Sequence, residues 1–168
     1  MLSPLFAIEG PWSGVLAIAP APPPEPRLVR ALERWQKIGI TTILSLLTPG
    51  ERPGWDNEGE ICNELDINFY SLPIRDHSVP RPDEMQKVVD VLTKVEARLK
   101  AGERVVAHCF AGIGRSGIAT VGLLMIAGIP MEDAIDRVSL ARGLNCPETE
   151  EQLEWLASFD RYRRLSYT

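Results

Sequence analysis

Residues 108–117, HCFAGIGRSG, combine the residue types that nucleophilic attack on an anionic substrate requires. Cys109 stands at the end of an apolar run, and Gly112 and Gly114 follow within a segment that has few large side chains. Such a loop offers mainly its backbone, and successive amides that curl inward form a concavity that binds anions. The segment therefore predicts an anion-binding loop with a thiol at its floor.

Arg115 lies six residues after Cys109, and an apolar helical pattern begins near Arg115 and Ser116. A helix N-terminus adds unpaired amides and a positive dipole end, and a guanidinium fits two oxygens of a phosphate. A free cysteine is mostly protonated at neutral pH, and the same groups favour its thiolate form. Phosphoryl transfer to sulfur requires a thiolate nucleophile below a ring of hydrogen-bond donors that bind the phosphoryl oxygens.

The segment resembles the H-C-x5-R-[ST] signature of cysteine-based protein-tyrosine phosphatases, and the form AGIGRSG resembles their dual-specificity branch. The resemblance implies that Cys109 attacks phosphorus and that water then hydrolyses a phosphocysteine. It implies that Ser116 assists the departing sulfur, that His108 orders the loop, and that no metal or other cofactor takes part. It assigns phosphate binding to the loop residues Phe110, Ala111, Gly112, Ile113, Gly114 and Arg115.

The leaving group needs a proton, so a general acid should lie on another loop at the same edge of the sheet. Asp76 follows a predicted strand and precedes Cys109 by 33 residues, which resembles the mobile acid loop of the family. The alternative is an Asx turn at Asp76. Asp56, in a loop rich in glycine and proline, and Asp66, at the end of a predicted helix, are weaker candidates.

Gln152 resembles the glutamine that positions the hydrolytic water in the family. The pair Thr149 and Gln152 equally matches a helix capping box, and the sequence leaves both interpretations open. Cys62 and Cys146 are predicted to be inert reduced thiols, with capture of an oxidised Cys109 as the alternative.

These residues need a scaffold that alternates strands and helices. Apolar runs predict strands at 5–9, 14–19, 40–47, 67–74 and 104–108, the first two as a hairpin or as edge strands. Helical spacing predicts helices at 27–39, 58–66, 83–102, 116–128, 130–143 and 149–165. We expect one phosphatase domain over 1–168, an α/β fold with a central, mostly parallel, twisted sheet of about five strands flanked by helices, like that of tyrosine phosphatases. Cys109 would then lie at the carboxyl end of a strand, where such sheets bind ligands.

Composition restricts the class of protein. The chain has 168 residues and a net charge of −5, which argues against nonspecific nucleic-acid binding. The apolar N-terminal stretch is interrupted by Pro4, Glu9 and Pro11 and has no basic residue before Arg27, so it does not match a signal peptide. No run approaches the length of a membrane span. We expect a cytoplasmic monomer without membrane or nucleic-acid partners.

The sequence therefore predicts a phosphomonoester hydrolase that acts on phosphotyrosine in proteins, with phosphoserine and phosphothreonine open as further substrates. A phosphoinositide or inositol phosphate is an alternative substrate, although relatives of that kind usually carry lysines within the loop. A phosphate-binding pseudophosphatase is a second alternative, and sulfur transfer or arsenate reduction is a third. The residues 110–114 are uncharged, and none of the expected reacting groups is missing.

Overall fold

A five-stranded sheet with helices on both faces forms the framework of the chain, whose computed structural model describes residues 3–166. The strands are β1 (Phe6–Ile8), β2 (Val15–Ala19), β3 (Ile40–Ser45), β4 (Asn68–Ser71) and β5 (Arg104–His108). The helices are α1 (Leu28–Lys37), α2 (Glu58–Glu64), α3 (Met85–Lys100), α4 (Arg115–Ile126), α5 (Met131–Arg142) and α6 (Glu150–Ser166). A 3-10 turn at Pro82–Glu84 leads into α3. The ends of the predicted domain, residues 1–2 and 167–168, lie outside the described residues.

The sheet has the order β1-β2-β5-β3-β4, and only β1 runs antiparallel to its neighbour. Helices α1 and α2 pack on one face with Trp35 in their core, whereas α3 to α6 pack on the other face around residues such as Leu92 and Phe159. The predicted α/β fold with a mostly parallel central sheet is confirmed.

Two features of the strands differ most from the predictions. The first two strands form a hairpin, but β2 also pairs with β5 and therefore lies inside the sheet. The strands predicted at 40–47 and 67–74 end at Ser45 and Ser71. Backbone bonds nevertheless continue beyond both ends, because the amides of Leu46 and Leu72 bond to the carbonyls of His108 and Ser45.

Strand β5 is the central strand of the sheet, with β2 and β3 beside it. Residues 105–108 are fully buried, as expected for a parallel strand covered on both faces. Its last residue, His108, aligns with Ala19 of β2 and Ser45 of β3. The chain beyond His108 therefore emerges at the carboxyl edge of the sheet, where crevices in such folds bind ligands.

Helix α4 follows this edge and is buried from Arg115 to Met125, with small residues on several sides. It lies against the sheet and contacts α3, α5 and α6. The start of α4 is thereby fixed relative to the end of β5. Among residues 3–166, no helix combines the length and hydropathy that a bilayer span requires.

Candidate active site

The connection between β5 and α4, residues 109–114, forms a tight loop whose two glycines serve different needs. Gly112 has φ +72°, and a Cβ there would approach the backbone carbonyl carbon of Ala19 to 2.4 Å. Gly114 has an ordinary φ of −76°, but a Cβ there would lie 2.8 Å from Nε2 of Gln152. The first glycine therefore permits the turn, and the second permits close packing against the start of α6.

The carbonyl groups of this loop are bonded to donors around it. The Cys109 carbonyl lies 3.2 Å from Nδ1 of His108, and the Phe110 carbonyl accepts from the Ala21 amide at 3.0 Å. The Arg142 guanidinium donates to the carbonyls of Ala111 and Gly112, at 3.3 and 3.0 Å. The Ile113 carbonyl accepts from the Cys146 thiol at 2.8 Å. The amides of residues 110–116, in contrast, donate to no protein acceptor in the described part of the chain. Seven consecutive amides are thus free for an anion at the N-terminus of α4.

Cys109 lies at the start of this loop and is only 3% exposed. Its sulfur is 3.2 Å from Oγ of Ser116, which is fully buried in the first turn of α4. A hydroxyl at this distance can donate a hydrogen bond to the sulfur. The structure thus brings together the two residues that the sequence placed at the reacting centre.

Arg115 is buried, and its guanidinium is held by two loops outside the motif. Glu51 accepts hydrogen bonds from Nη1 at 2.7 Å and from Nη2 at 3.1 Å, a bidentate ion pair. Nη1 also donates to the carbonyl of Ile74 at 3.0 Å, and Nη2 lies 3.1 Å from Oδ1 of Asp76. Burial alone would lower the pKa of Arg115, but its hydrogen bonds to Glu51 and the charges of Cys109, Glu51 and Asp76 together raise the pKa.

Glu51 is a member of the site that the sequence analysis missed. It lies in the loop after β3, and its side chain is 14% exposed. Burial tends to raise the pKa of Glu51, but hydrogen bonds from Arg115 and Thr48 lower it overall. The only signal in the sequence is an acidic residue in a loop rich in glycine and proline, and that signal is shared with Asp56.

Asp76 lies on the loop that follows β4, at the predicted edge of the sheet, and its Oδ1 lies beside the Arg115 guanidinium. Its side chain is 41% exposed, so it is open to solvent on one side. Asp56 instead accepts a hydrogen bond from the Gly50 amide at 3.2 Å and shapes its own loop. Asp66, with φ +56°, follows the end of α2. Neither competitor pairs with Arg115.

His108, the last residue of β5, is fully buried and faces a carboxylate on α2. Its Nε2 is 2.6 Å from Oε1 of Glu58, whose side chain is 3% exposed. Burial lowers the pKa of His108, but the charge of Glu58 and the hydrogen bond to it raise the pKa overall. An ordering role is what the family resemblance implies for His108, whereas nothing in the sequence singles out Glu58.

Gln152 lies at the start of α6, fully buried against Gly114. The predicted capping box is present: the Gln152 amide donates to Thr149 Oγ1 at 3.1 Å, and the Thr149 amide donates to Gln152 Oε1 at 3.2 Å. Nε2 of Gln152 donates to the Ser78 carbonyl at 3.1 Å, on the loop that carries Asp76. Gln152 thus links α6 to the loop of the predicted acid.

The other two cysteines are buried, and burial raises the pKa of Cys62 and of Cys146 to about 12. Both thiols are therefore protonated at neutral pH. Cys62 packs with α1 and α2 on the opposite face of the sheet, whereas Cys146 packs in the same apolar cluster as Cys109. The thiol of Cys146 has a structural task, because it donates to the Ile113 carbonyl.

An aromatic and cationic rim lies beside the loop. The Arg52 guanidinium sits 3.7 Å from the centre of the Phe110 ring, and the Trp55 ring meets the same ring edge-on at 6.1 Å. Phe110 is 36% exposed. The segment 49–57 therefore lies against the loop through Arg52 and Trp55.

Comparison with known proteins adds a family and several relatives. Residues 29–129 match the family model described as "Polymorphic toxin system, DSP-PTPase phosphatase". Mouse cyclin-dependent kinase inhibitor 3 is 26% identical over 132 residues, which cover 76% of this chain and 60% of that protein. Mouse protein tyrosine phosphatase domain-containing protein 1 is 27% identical over 143 residues, covering 79% of this chain and 19% of that protein. The chain thus spans between a fifth and three fifths of the length of these relatives.

Solved structures share the fold over nearly the whole chain. Kinase associated phosphatase, with its catalytic cysteine replaced by serine, has a TM-score of 0.84 at 20% identity and covers 96% of each chain. A mutant form of Tk-PTP has a TM-score of 0.74 at 26% identity, covering 89% of this chain and 92% of that one. PTPMT1 in complex with PI(5)P has a TM-score of 0.68 at 18% identity, covering 91% and 94%.

Proposed function

The chain belongs to the DSP-PTPase phosphatase family, and from this premise we propose that it hydrolyses phosphomonoesters on proteins through a phosphocysteine. One observation carries the proposal. The amides of residues 110–116 have no protein acceptor among the described residues, and they surround a cysteine whose neighbouring carbonyls are bonded elsewhere. A phosphoryl group with its three equatorial oxygens matches this set of donors.

In the first step, the sulfur of Cys109 attacks phosphorus, an S–P bond forms, and the bond from phosphorus to the leaving oxygen breaks. Asp76 gives its proton to that oxygen. Arg115 binds two equatorial oxygens with the positive charge that its burial and its pairing with Glu51 hold in place. The contact between Nη2 and Asp76 at 3.1 Å must open for a phosphoryl oxygen to enter, which directs the acid toward the leaving group.

In the second step, water attacks phosphorus, Asp76 takes its proton, and the S–P bond breaks. The Ser116 hydroxyl, 3.2 Å from the sulfur, donates to it as negative charge returns. Gln152 is proposed to position the water only after it exchanges its bond to the Ser78 carbonyl, because its oxygen already accepts from two backbone amides.

The proposed substrates are phosphotyrosine and, with it, phosphoserine or phosphothreonine in proteins. The loop positions 110–114 carry no charged side chain, which supports a monoester over an inositol polyphosphate. Phe110 and Trp55 offer apolar surface at the rim, where the ring of phosphotyrosine would need it. Cys109, Arg115 and Asp76 are all present, which supports turnover over binding alone.

A substrate panel tests this function: phosphotyrosine, phosphoserine and phosphothreonine peptides and inositol phosphates, with free phosphate as the readout. We expect turnover of phosphotyrosine peptides that survives EDTA, loss of turnover in Cys109→Ser, and vanadate binding that this variant retains. Cys62→Ala, which removes a buried thiol on the opposite face of the sheet, is the control and should retain activity. Turnover by Cys109→Ser, or preference for inositol phosphates, would refute the proposal.

A further inference from the structure

A buried side-chain contact joins the short helix α2 to the residue before the proposed nucleophile. Glu58 is the first residue of α2, and its carboxylate oxygen lies 2.6 Å from Nε2 of His108. Their side chains are 3% and 0% exposed, so water does not screen the contact. The other ring nitrogen, Nδ1, lies 3.2 Å from the carbonyl oxygen of Cys109.

The protons of the His108 ring follow from its two partners. A carbonyl oxygen only accepts, so Nδ1 must carry a proton to bond with Cys109. In a neutral ring with that proton, Nε2 carries no proton and can only accept a hydrogen bond. The Glu58 carboxylate also only accepts, so the two atoms would repel each other unless a proton lies between them. A ring with a proton on each nitrogen satisfies the Glu58 carboxylate and the Cys109 carbonyl at once.

The charged groups around His108 favour this doubly protonated ring. Burial lowers the pKa of His108, as does the positive charge of Arg115, but Glu58 and the Cys109 carbonyl together raise it. Cys62 lies close enough to Glu58 to sense its charge, yet its own pKa of about 12 leaves it neutral. Trp35, which packs beside the ring with centroids 6.3 Å apart, has no charge.

We propose that Glu58 is a positioning residue of the phosphatase site: it keeps both ring nitrogens of His108 protonated, and the resulting imidazolium holds the Cys109 carbonyl away from the anion-binding loop. The inference rests on the proposed function and adds to it a group outside the motif. The imidazolium also places a positive charge one residue from the sulfur, which favours the thiolate. Without Glu58, a buried ring would lose its second proton.

Glu58→Gln tests the role without changing the shape of the side chain. Its amide can donate to Nε2 of a neutral ring, so packing and the hydrogen bond persist while one proton leaves. The readout is the pH dependence of iodoacetate alkylation at Cys109, with kcat/KM on p-nitrophenyl phosphate beside it. We expect the alkylation midpoint to rise by about one pH unit and kcat/KM near pH 6 to fall about tenfold. The control Glu64→Gln, at the exposed far end of α2, should change neither.

Nitrogen NMR of the full chain tests the protonation directly, with His77→Gln to assign the two histidines. We expect an imidazolium signal from His108 at neutral pH in the unaltered chain and a neutral ring in Glu58→Gln. A neutral His108 in the unaltered chain would overturn the proposal, as would an unmoved alkylation midpoint in the variant. A purely structural role would lower thermal stability but leave the midpoint in place. If both signatures appear but no phosphate is released from any ester, the positioning role stands and the proposed function fails.

Discussion

Glu51→Gln removes the negative charge that the buried Arg115 guanidinium meets in this structure. The native carboxylate accepts two hydrogen bonds, at 2.7 and 3.1 Å, and its side chain is 14% exposed. A glutamine keeps one acceptor oxygen but turns its NH2 group toward the second guanidinium nitrogen. The variant therefore loses one charge-assisted bond and sets two donors against each other.

The size of the effect follows from these contacts. A hydrogen bond to a charged group contributes about 1.5–3 kcal/mol, and breaking a fully buried pair costs about 3–5 kcal/mol. Arg115 keeps Ile74 and Asp76 as partners, and Glu51 is partly solvated, so we expect the free energy of unfolding to fall by about 2–3 kcal/mol. For a chain of this size, each kcal/mol lowers Tm by about 2–4 °C, so the variant should melt about 4–12 °C lower.

Urea unfolding at pH 7, with and without vanadate, measures this effect. An oxyanion at a hundred times its Kd stabilises the folded state by about 2.7 kcal/mol, and it also supplies the negative charge that the variant lacks. Vanadate at that concentration should therefore bring the variant to about the stability of the ligand-free native chain, and the exposed control Glu60→Gln should unfold like the native chain. An unchanged Tm, or a loss that vanadate does not reduce, would refute the pairing of Glu51 with Arg115 as a support of the site.

The same comparison has a defined pH dependence. The pKa of Glu51 is lowered from its ordinary value of 4.5, so its contribution to stability is complete above that value. The contribution is lost as the pH falls through the lowered pKa, because the native carboxylate then takes up a proton. The difference between the native chain and Glu51→Gln should be constant from neutral pH to about pH 5 and should shrink below pH 4.5. A difference that persists unchanged in acid would contradict the ion pair.

Two further substitutions test the reacting groups. Asp76→Ala should lower kcat about 10²–10⁴-fold on aryl phosphates with poor leaving groups and less on p-nitrophenyl phosphate, because only the former need a proton on departure; equal loss on both substrates would move the acid elsewhere. Arg115→Lys should cut kcat/KM severely and also lower Tm, because an ammonium cannot span both oxygens of Glu51 at 2.7 and 3.1 Å; near-normal kinetics on p-nitrophenyl phosphate would exclude bidentate binding.

The geometry of the loop was predictable because its parts are contiguous in the chain. Strand β5 matched its predicted range at 104–108, and the apolar helix that follows begins within one residue of the prediction. Six residues that connect the end of β5 to the start of α4 can adopt few backbone conformations. The proximity of Cys109 to Ser116 therefore followed from their spacing in the sequence. Asp76 came within reach because a parallel sheet collects the carboxyl ends of its strands at one edge.

The supporting residues were not predictable, because their contacts depend on tertiary packing. Glu51 lies 64 positions from Arg115, and Arg142 lies 30 positions from the Gly112 carbonyl that it holds. The segment 58–66 contains several acidic residues, and the sequence predicts each of them equally to lie on the solvent-exposed face of a helix. Only Glu58 among them is buried, and that follows from how α2 packs on the sheet, which the pattern does not encode.

Gly114 shows how a correct prediction can rest on an incomplete reason. Both glycines of the loop were expected to let the chain curl, yet only Gly112 has a positive φ. At Gly114 the side-chain ends of Gln152 and Glu148 occupy the space that a Cβ would enter, and those residues belong to α6 and the segment before it. A glycine whose neighbours are distant in sequence carries no local signal that separates it from one in a turn.

In the proposed mechanism, the contacts of Arg115 would link phosphate binding to the release of Asp76. Nη1 of its guanidinium donates to Glu51 and to the Ile74 carbonyl, whereas Nη2 is shared between Glu51 and Asp76. A phosphoryl dianion that enters the loop carries more charge than a carboxylate and has the free amides of residues 110–116 as further donors. It should therefore displace Asp76 from Nη2 rather than Glu51, whose two bonds and greater burial hold it in place. In the proposed mechanism, this displacement would leave the exposed Asp76 free to give its proton to the leaving oxygen.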